Sequence, residues 1–199
     1  MIRNTPKEKI GKFTRAGKVL HLDGDKDYLD ICIEQYKKLG IEAVGISITE
    51  KDQAGAVYDL LQEHKPDILV LTGHDGMIKG ESNYQNIDNY RNSKHFIEAV
   101  KEARRYEKNP DSLVIFAGAC QSLYHQIIDA GANFASAPYR VLIHALDPVL
   151  VCQKVALTSI EKVLDPMDIV GNTITGYKGI GGVQTRGKYR IGYPVEPFK

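Results

Sequence analysis

Asp67-Ile68-Leu69-Val70-Leu71-Thr72-Gly73-His74-Asp75-Gly76 and Ser112-Leu113-Val114-Ile115-Phe116-Ala117-Gly118-Ala119-Cys120-Gln121-Ser122 decide how this chain reads. Each is a run of large or β-branched apolar residues with no polar alternation. A strand covered on both faces by helices has that composition. Each run follows a charged segment with helical spacing and breaks at glycine around a reactive side chain. In an open parallel sheet the carboxyl ends of the strands line the ligand crevice. Parallel pairing therefore brings His74 and Cys120 to one rim, and a thiol beside an imidazole is the minimum apparatus of a cysteine hydrolase.

The rest of the chain repeats the pattern. Residues 18–25 form a short apolar strand ending in Asp23-Gly24-Asp25. Asp25 is placed to cap a helix that runs to Leu39, with Gly40 closing it. Residues 41–48 read as a strand and 52–65 as a helix that Pro66 ends. Residues 76–89 are a long Gly/Asn/Ser-rich loop, and Asn92 or Ser93 caps the helix that follows it. Beyond Cys120, residues 123–130 read as a helix, 133–137 as a strand and 141–146 as an apolar run. Asp147-Pro148 opens another helix, and the last runs from Asp165 to about Thr173. The glycine-rich residues 176–182 lack the strand–loop–helix order of a dinucleotide fingerprint. Residues 183–193 alternate like a hairpin. Strands alternating with helices predict a three-layer α/β fold with a mainly parallel central sheet. Residues 18–199 make a single domain, behind a flexible basic leader or linker remnant at 1–17 that carries Arg3, Lys7, Lys9, Lys12 and Arg15.

Composition narrows the functional classes. Lys and Arg number 26 against 25 Asp and Glu, a net charge of +1, so no basic excess points to nucleic acid. No apolar run is long enough to span a bilayer and no secretory h-region opens the chain, which predicts a cytoplasmic protein with no membrane partner. The three cysteines, Cys32, Cys120 and Cys152, are too few for a disulfide framework and form no zinc-type Cys-x-x-Cys pair. Cys32 and Cys152 fall inside helices and read as small core residues.

Cys120 differs from them. Gly118 and Ala119 keep its approach small, and Gln121-Ser122 are polar where a core continues apolar. Only a thiolate attacks, and a free thiol has a pKa near ~8.5. A place at the start of a helix, with a histidine nearby, favours the reactive form. His74, between Gly73 and Asp75-Gly76, is the base or acid. The backbone N–H groups of Asp75, Gly76 and Cys120 are candidate oxyanion donors. Asp23 and Asp25 close strand one on the same rim, where a carboxylate can either cap a helix or pair with a substrate Arg or Lys. His144 is the rival base, and His125 falls one turn into the helix after Cys120. No metal or organic cofactor is required.

These segments resemble a known family. A hydrophobic block ending in His, followed by a second ending in Ala-Cys, resembles the caspase-like cysteine peptidases. Residues 18–25 (KVLHLDGD), 67–75 (DILVLTGHD), 93–96 (SKHF), 113–122 (LVIFAGACQS), 130–137 (AGANFASA) and 143–148 (IHALDP) are similar to the YabG family of sporulation-specific proteases. The resemblance implies a caspase-like fold of the flavodoxin-like type and cleavage after Arg or Lys. It also implies polypeptide substrates among spore coat proteins and germination-protein precursors. It places the catalytic pair on His74 and Cys120. By analogy the acid of the S1 pocket is Asp23 or Asp25, with Ser136 lining the other side. Family members carry a further N-terminal region. Lys12 and Arg15 suit its removal by a basic-specific enzyme, so self-processing is an expectation.

Two other readings fit part of the pattern. Gly118-Ala119-Cys120-Gln121-Ser122 approaches the Gly-x-Cys-x-Gly elbow of class-I amidotransferase-like and DJ-1-like hydrolases, which place the histidine after the cysteine. A receiver-like binding module matches the Asp-Gly-Asp end of strand one, but Leu71-Thr72-Gly73 stand where a receiver carries its phospho-acceptor Asp.

Overall fold

A computed structural model describes residues 11–196. The elements in chain order are β1 (Phe13–Arg15), β2 (Val19–Asp23), α1 (Lys26–Lys38), β3 (Ala43–Ser47), α2 (Glu50–His64), β4 (Ile68–Thr72), α3 (Ser93–Tyr106), β5 (Val114–Ala117) and α4 (Tyr124–Asp129). Then come β6 (Phe134–Ser136), α5 (Asp147–Leu157), β7 (Val163–Leu164), α6 (Pro166–Val170), β8 (Ile180–Gly182), β9 (Thr185–Arg186) and β10 (Arg190–Gly192).

Six strands form the central sheet in the order β3-β2-β4-β5-β6-β8. All pair in parallel except β8, which runs antiparallel to β6. The apolar runs lack alternation because both sheet faces are covered. Leu20, Leu22, Leu69, Leu71, Ile115 and Ala117 face a core with Val57 and Leu61 of α2 and Phe96 and Val100 of α3. Val19, Ile68, Val70, Val114 and Phe116 face a second core with Cys32 and Tyr36 of α1 and Val151, Cys152 and Val155 of α5. The result is the expected three-layer α/β architecture. Cys32 and Cys152 are buried and free, and burial pushes both thiols up to about 12.

The chain steps from β2 outward to β3, then returns across β2 to β4. The sheet therefore reverses direction beside β2, and the carboxyl ends of β2, β4 and β5 flank that point. A crevice at such a reversal is where open α/β sheets bind ligands.

Two segments differ from expectation, and a third, the glycine-rich one, takes a definite place. Residues 183–193 are no hairpin: β9 pairs with β7, and β10 pairs with β1. Of the segment expected to be a leader, residues 1–10 lie outside the described residues, and Phe13–Arg15 form the strand on β10. The glycine-rich stretch supplies β8, and its glycines leave room for two rings that lie close against it. A Cβ at Gly181 would stand 2.6 Å from the Tyr124 hydroxyl, and one at Gly182 would stand 2.3 Å from the Phe134 ring.

Beneath the sheet's far half a polar post joins α3 to β5 and β6. Asn133 Oδ1 accepts from Ile115 N at 2.9 Å and from Arg104 Nη2 at 2.8 Å, while its amide donates to Pro110 O and Thr185 Oγ1. Burial lowers the Arg104 pKa to about 10, which still leaves it charged at neutral pH. Asn133→Ala strands a β5 N–H and a guanidinium N–H without acceptors. Each buried orphan costs about 1–3 kcal/mol, so equilibrium urea unfolding should register a loss of about 3 kcal/mol.

Candidate active site

The carboxyl ends of β2, β4 and β5 open into one cleft. It is lined by Asp23, Tyr28, Thr72, Gly73, His74, Gly118, Ala119, Cys120, Ile143, His144, Ala145 and Pro148, with a volume of about 150 Å³. That is below the ~300–1,000 Å³ of typical small-molecule sites, and suits one inserted side chain better than an extended cofactor. Among the described residues, no group of three or more His, Cys, Asp or Glu side chains is placed to hold a metal ion.

His74 is held from three sides. Its Nε2 lies 2.9 Å from Asp25 Oδ2. Its backbone N–H donates to Glu50 Oε1 at 2.6 Å, and its carbonyl accepts from Asn92 Nδ2 at 2.8 Å. The Tyr28 ring stands edge-on to it at 6.1 Å. Asp25 also caps α1, accepting from the backbone N–H groups of Asp27 and Tyr28. The His74 hydrogen bond, then the Tyr28 N–H, holds the Asp25 carboxyl below its ordinary value. An ionised carboxylate only accepts, so Nε2 carries the proton and Nδ1 offers its lone pair. The sign of the linkage follows: a depressed carboxyl pKa stabilises the fold above the ordinary value of 3.8 and loses that contribution as pH falls through the lower folded value.

Glu50 was not legible as a site residue. Its carboxylate lies over both strand-end glycines. A Cβ at Gly24 or Gly73 would stand 2.4 or 2.3 Å from Glu50 Oε1. The signal in the sequence was the pair of glycines at matching strand ends, which marks a close approach without naming the visitor.

Asp75, expected as a backbone donor, acts through its side chain. Its Oδ1 accepts from Gly76 N and Asn92 N, at 2.8 and 2.9 Å, and its Oδ2 accepts from the hydroxyls of Ser93 and Ser122. Ser122 Oγ in turn accepts from Ala119 N, and Ser93 Oγ from Leu123 N. The two candidate caps of α3 are thus diverted: neither caps by side chain, and both grip the loop carrying His74. The Gly76 N–H, a proposed oxyanion donor, is already taken by Asp75. The N–H groups of Asp75 and Cys120 have no acceptor among the described residues.

Cys120 is half-buried, and its Sγ receives the Ile143 N–H at 3.4 Å. It lies in a turn four residues before α4, not at the start of that helix. The expected helix-dipole effect on the thiol is therefore withdrawn. The left-handed residue of the turn is Gln121, at φ 59°, whose N–H bonds Val141 O. A nucleophile elbow strains the nucleophile itself, and here the strain falls one residue later. Gly118 (φ 107°) has no room for a side chain: a Cβ would stand 2.9 Å from Ser136 Oγ. Ser136 is fully buried and donates to Ala119 O. It supports the cysteine turn from beneath and does not line the cleft.

The acids at the end of β2 separate. Asp25 faces His74 and does not line the cleft. Asp23 is 5% exposed and does line it. Its oxygens accept from Asp25 N at 2.7 Å and Thr72 Oγ1 at 2.6 Å. Since the Thr72 hydroxyl donates to Asp23, it accepts from His21 Nε2 at 2.7 Å, and His21 Nδ1 faces the Tyr36 hydroxyl at 3.4 Å. No Lys or Arg pairs with Asp23 among the described residues. His144 lines the opposite wall. Asp147, fully buried, accepts from its N–H and from the N–H and hydroxyl of Thr175. His125 is exposed on α4, rings with Tyr124 and does not reach the cleft.

Replacing Asp75 tests whether the two loops are one unit. Asp75→Asn sets an amide N–H₂ or a neutral oxygen against four donors. It should lower stability by about 1–3 kcal/mol and lower thiol reactivity at Cys120, read by thermal melting and by iodoacetamide kinetics. Unchanged alkylation with intact stability would separate the loops.

The sequence family described as YabG peptidase U57 matches residues 1–194. The Sporulation-specific protease YabG of Bacillus subtilis (strain 168) is 48% identical over 184 residues, 92% of this chain. The chain spans 63% of that relative's length. Among solved structures, the solution structure of a response regulator protein from Burkholderia multivorans aligns with a TM-score of 0.35 and 13% identity, covering 59% of this chain and 78% of that one. With matches to a family across nearly all its residues and to a curated member over nine-tenths of its length, the chain belongs to the YabG peptidase U57 family.

Proposed function

We propose that this chain is a cysteine endopeptidase that cleaves after Arg or Lys, with Cys120 as nucleophile, His74 as general base and acid, and Asp23 as the acid of the S1 pocket. The observation that carries the reading is one cleft lined by an imidazole, a thiol and a buried carboxylate that no Lys or Arg pairs with among the described residues. In the reaction Cys120 Sγ attacks the scissile carbonyl carbon and its proton passes to His74 Nδ1. The tetrahedral oxyanion sits against the free N–H groups of Cys120 and Asp75. His74 returns the proton to the leaving amine, and a thioester remains on Cys120. Water, deprotonated by His74, releases the acid product and regenerates the thiol. Asp25 positions His74 by fixing its tautomer, in the manner of the third member of a triad.

Basic specificity follows from the electrostatics. A buried carboxylate with no Lys or Arg against it attracts a cation, and a guanidinium meets it with two parallel N–H bonds. The substrates in this reading are polypeptides of the sporulating cell, spore coat proteins and germination-protein precursors among them. It draws on the relative's description as a sporulation-specific protease. No described helix is long and apolar enough to cross a membrane.

Quenched fluorogenic peptides with P1 Arg or P1 Asp test the reading. The wild type should turn over the Arg peptide, Cys120→Ala should abolish turnover, and His74→Ala should lower it by about 10²–10⁴-fold, the usual reach of acid–base catalysis. Asp23→Asn should raise KM for the Arg peptide far more than it changes kcat. Because His144 lines the same cleft, His144→Ala is the matched control. Activity lost there and retained in His74→Ala would move the base to the amidotransferase-like arrangement.

Asp25 separates positioning from folding. Asn is as good an N-cap as Asp, so Asp25→Asn should keep α1 and the melting temperature. Its amide no longer dictates which His74 nitrogen carries the proton, so kcat should fall by about tenfold or more with KM little changed. An equal fall in stability and activity would make Asp25 a cap alone.

A further inference from the structure

Against Gln121 of the Cys120 turn lies a second depression, lined also by Met77, Tyr84, Tyr139 and Arg140. The two are joined by one segment, residues 140–143. Ile143 N meets Cys120 Sγ, Gln121 N meets Val141 O, and Arg140 stands next in line. Successive residues of one turn thus line two pockets, Cys120 the one that holds a carboxylate and Gln121 the one that holds a guanidinium.

Arg140 is held rigidly. Its backbone is left-handed, at φ 53°, a strained state for a long side chain that needs support from its surroundings. Its guanidinium carbon lies 4.4 Å from the centre of the Tyr84 ring, Nε donates to the Tyr90 hydroxyl at 2.9 Å, and Nη2 reaches Tyr84 O at 3.4 Å. Those acceptors are neutral. No carboxylate pairs with Arg140 among the described residues, and none lines the depression. A guanidinium has five N–H donors, so a planar face of two or more remains for a ligand. Aromatic stacking and the Tyr90 bond fix its direction, which removes most of the side-chain entropy an exposed arginine would lose on binding.

We infer that Arg140, framed by Tyr84 and Tyr90, is a specificity-determining subsite for an acidic side chain of the substrate polypeptide, close in sequence to the basic residue seated over Asp23. The inference rests on the proposed peptidase reading and deepens it: the enzyme selects a pair of opposite charges, one for each pocket beside the Cys120 turn, not a lone Arg or Lys. A neutral polar residue in the same subsite forfeits the charge-assisted pair.

The test uses peptides with P1 Arg in which Glu or Gln is placed at one flanking position at a time, from P4 to P3′. The readout is the Glu-to-Gln ratio of kcat/KM, compared in wild type, Arg140→Ala and Arg140→Gln. The wild type should favour Glu by about fivefold to tenfold at one position, roughly 1–1.4 kcal/mol. Both variants should bring that ratio to about one. Arg140 also ties down the 77–90 loop, so both variants can lower all rates. The ratio is the discriminating quantity, since loss of a purely structural tie slows Glu and Gln peptides alike. A wild-type ratio near one at every position, or a Glu preference that survives in both variants, overturns the subsite while leaving the peptidase intact. Failure of wild type to cleave any P1 Arg peptide overturns the peptidase reading, and the subsite with it.

Discussion

The Asp75 carboxylate is the joint on which the site depends. It accepts two backbone N–H groups and two serine hydroxyls, and those four donors come from three places: its own loop, the start of α3 and the turn after β5. A parallel sheet sets the strand ends side by side but says nothing about the loops beyond them. Without a shared acceptor, the His74 loop and the Cys120 turn would each fluctuate on their own. A charged acceptor with four short contacts is among the strongest ties a partly buried site can hold. It also explains why polar Ser122 follows Cys120. Ser122 passes the constraint from Asp75 to the Ala119 N–H, and so to the backbone that presents the thiol.

Much of this was legible. The runs at 67–73 and 112–119 could only be two-faced strands. Their parallel pairing followed from the helical segments between them, and a common rim for His74 and Cys120 followed from that. The tail was not legible, for a definite reason. Strands of two or three residues carry too little periodicity to show where they pair, and β8 is defined by rings from α4 and β6 lying on its glycines. The choice between Asp23 and Asp25 was equally closed to sequence reading. Both sit at the end of β2, two residues apart. Only the position of α1, whose first turn takes Asp25, sends one carboxylate to the histidine and leaves the other in the cleft. Glu50 and Arg140 were missed because their roles arise from what they lie against.

The site is built with carboxylates in three different settings, and the settings set the roles. Asp75 is saturated by donors and serves as a rivet. Asp25 is shared between a helix terminus and an imidazole, so its charge both caps α1 and orients His74. Asp23 alone combines deep burial with an opening to the cleft. A lone charge buried without a partner is costly, and proteins neutralise it, pair it or surround it with hydrogen bonds.

Here the third device operates. Tyr36, His21 and Thr72 form a line of hydrogen bonds that ends on Asp23, while the Asp25 N–H binds its other oxygen. His21 and Thr72 are fixed by the sheet and Tyr36 and the Asp25 N–H by α1, so none needs to move when a ligand arrives. Donors of this kind satisfy the carboxylate oxygens without cancelling the field of the group, whereas a resident Lys or Arg would cancel it. The arrangement therefore leaves the Asp23 carboxylate at the cleft with no Lys or Arg against it among the described residues. That open side is the physical difference between Asp23 and Asp25, two aspartates only two residues apart.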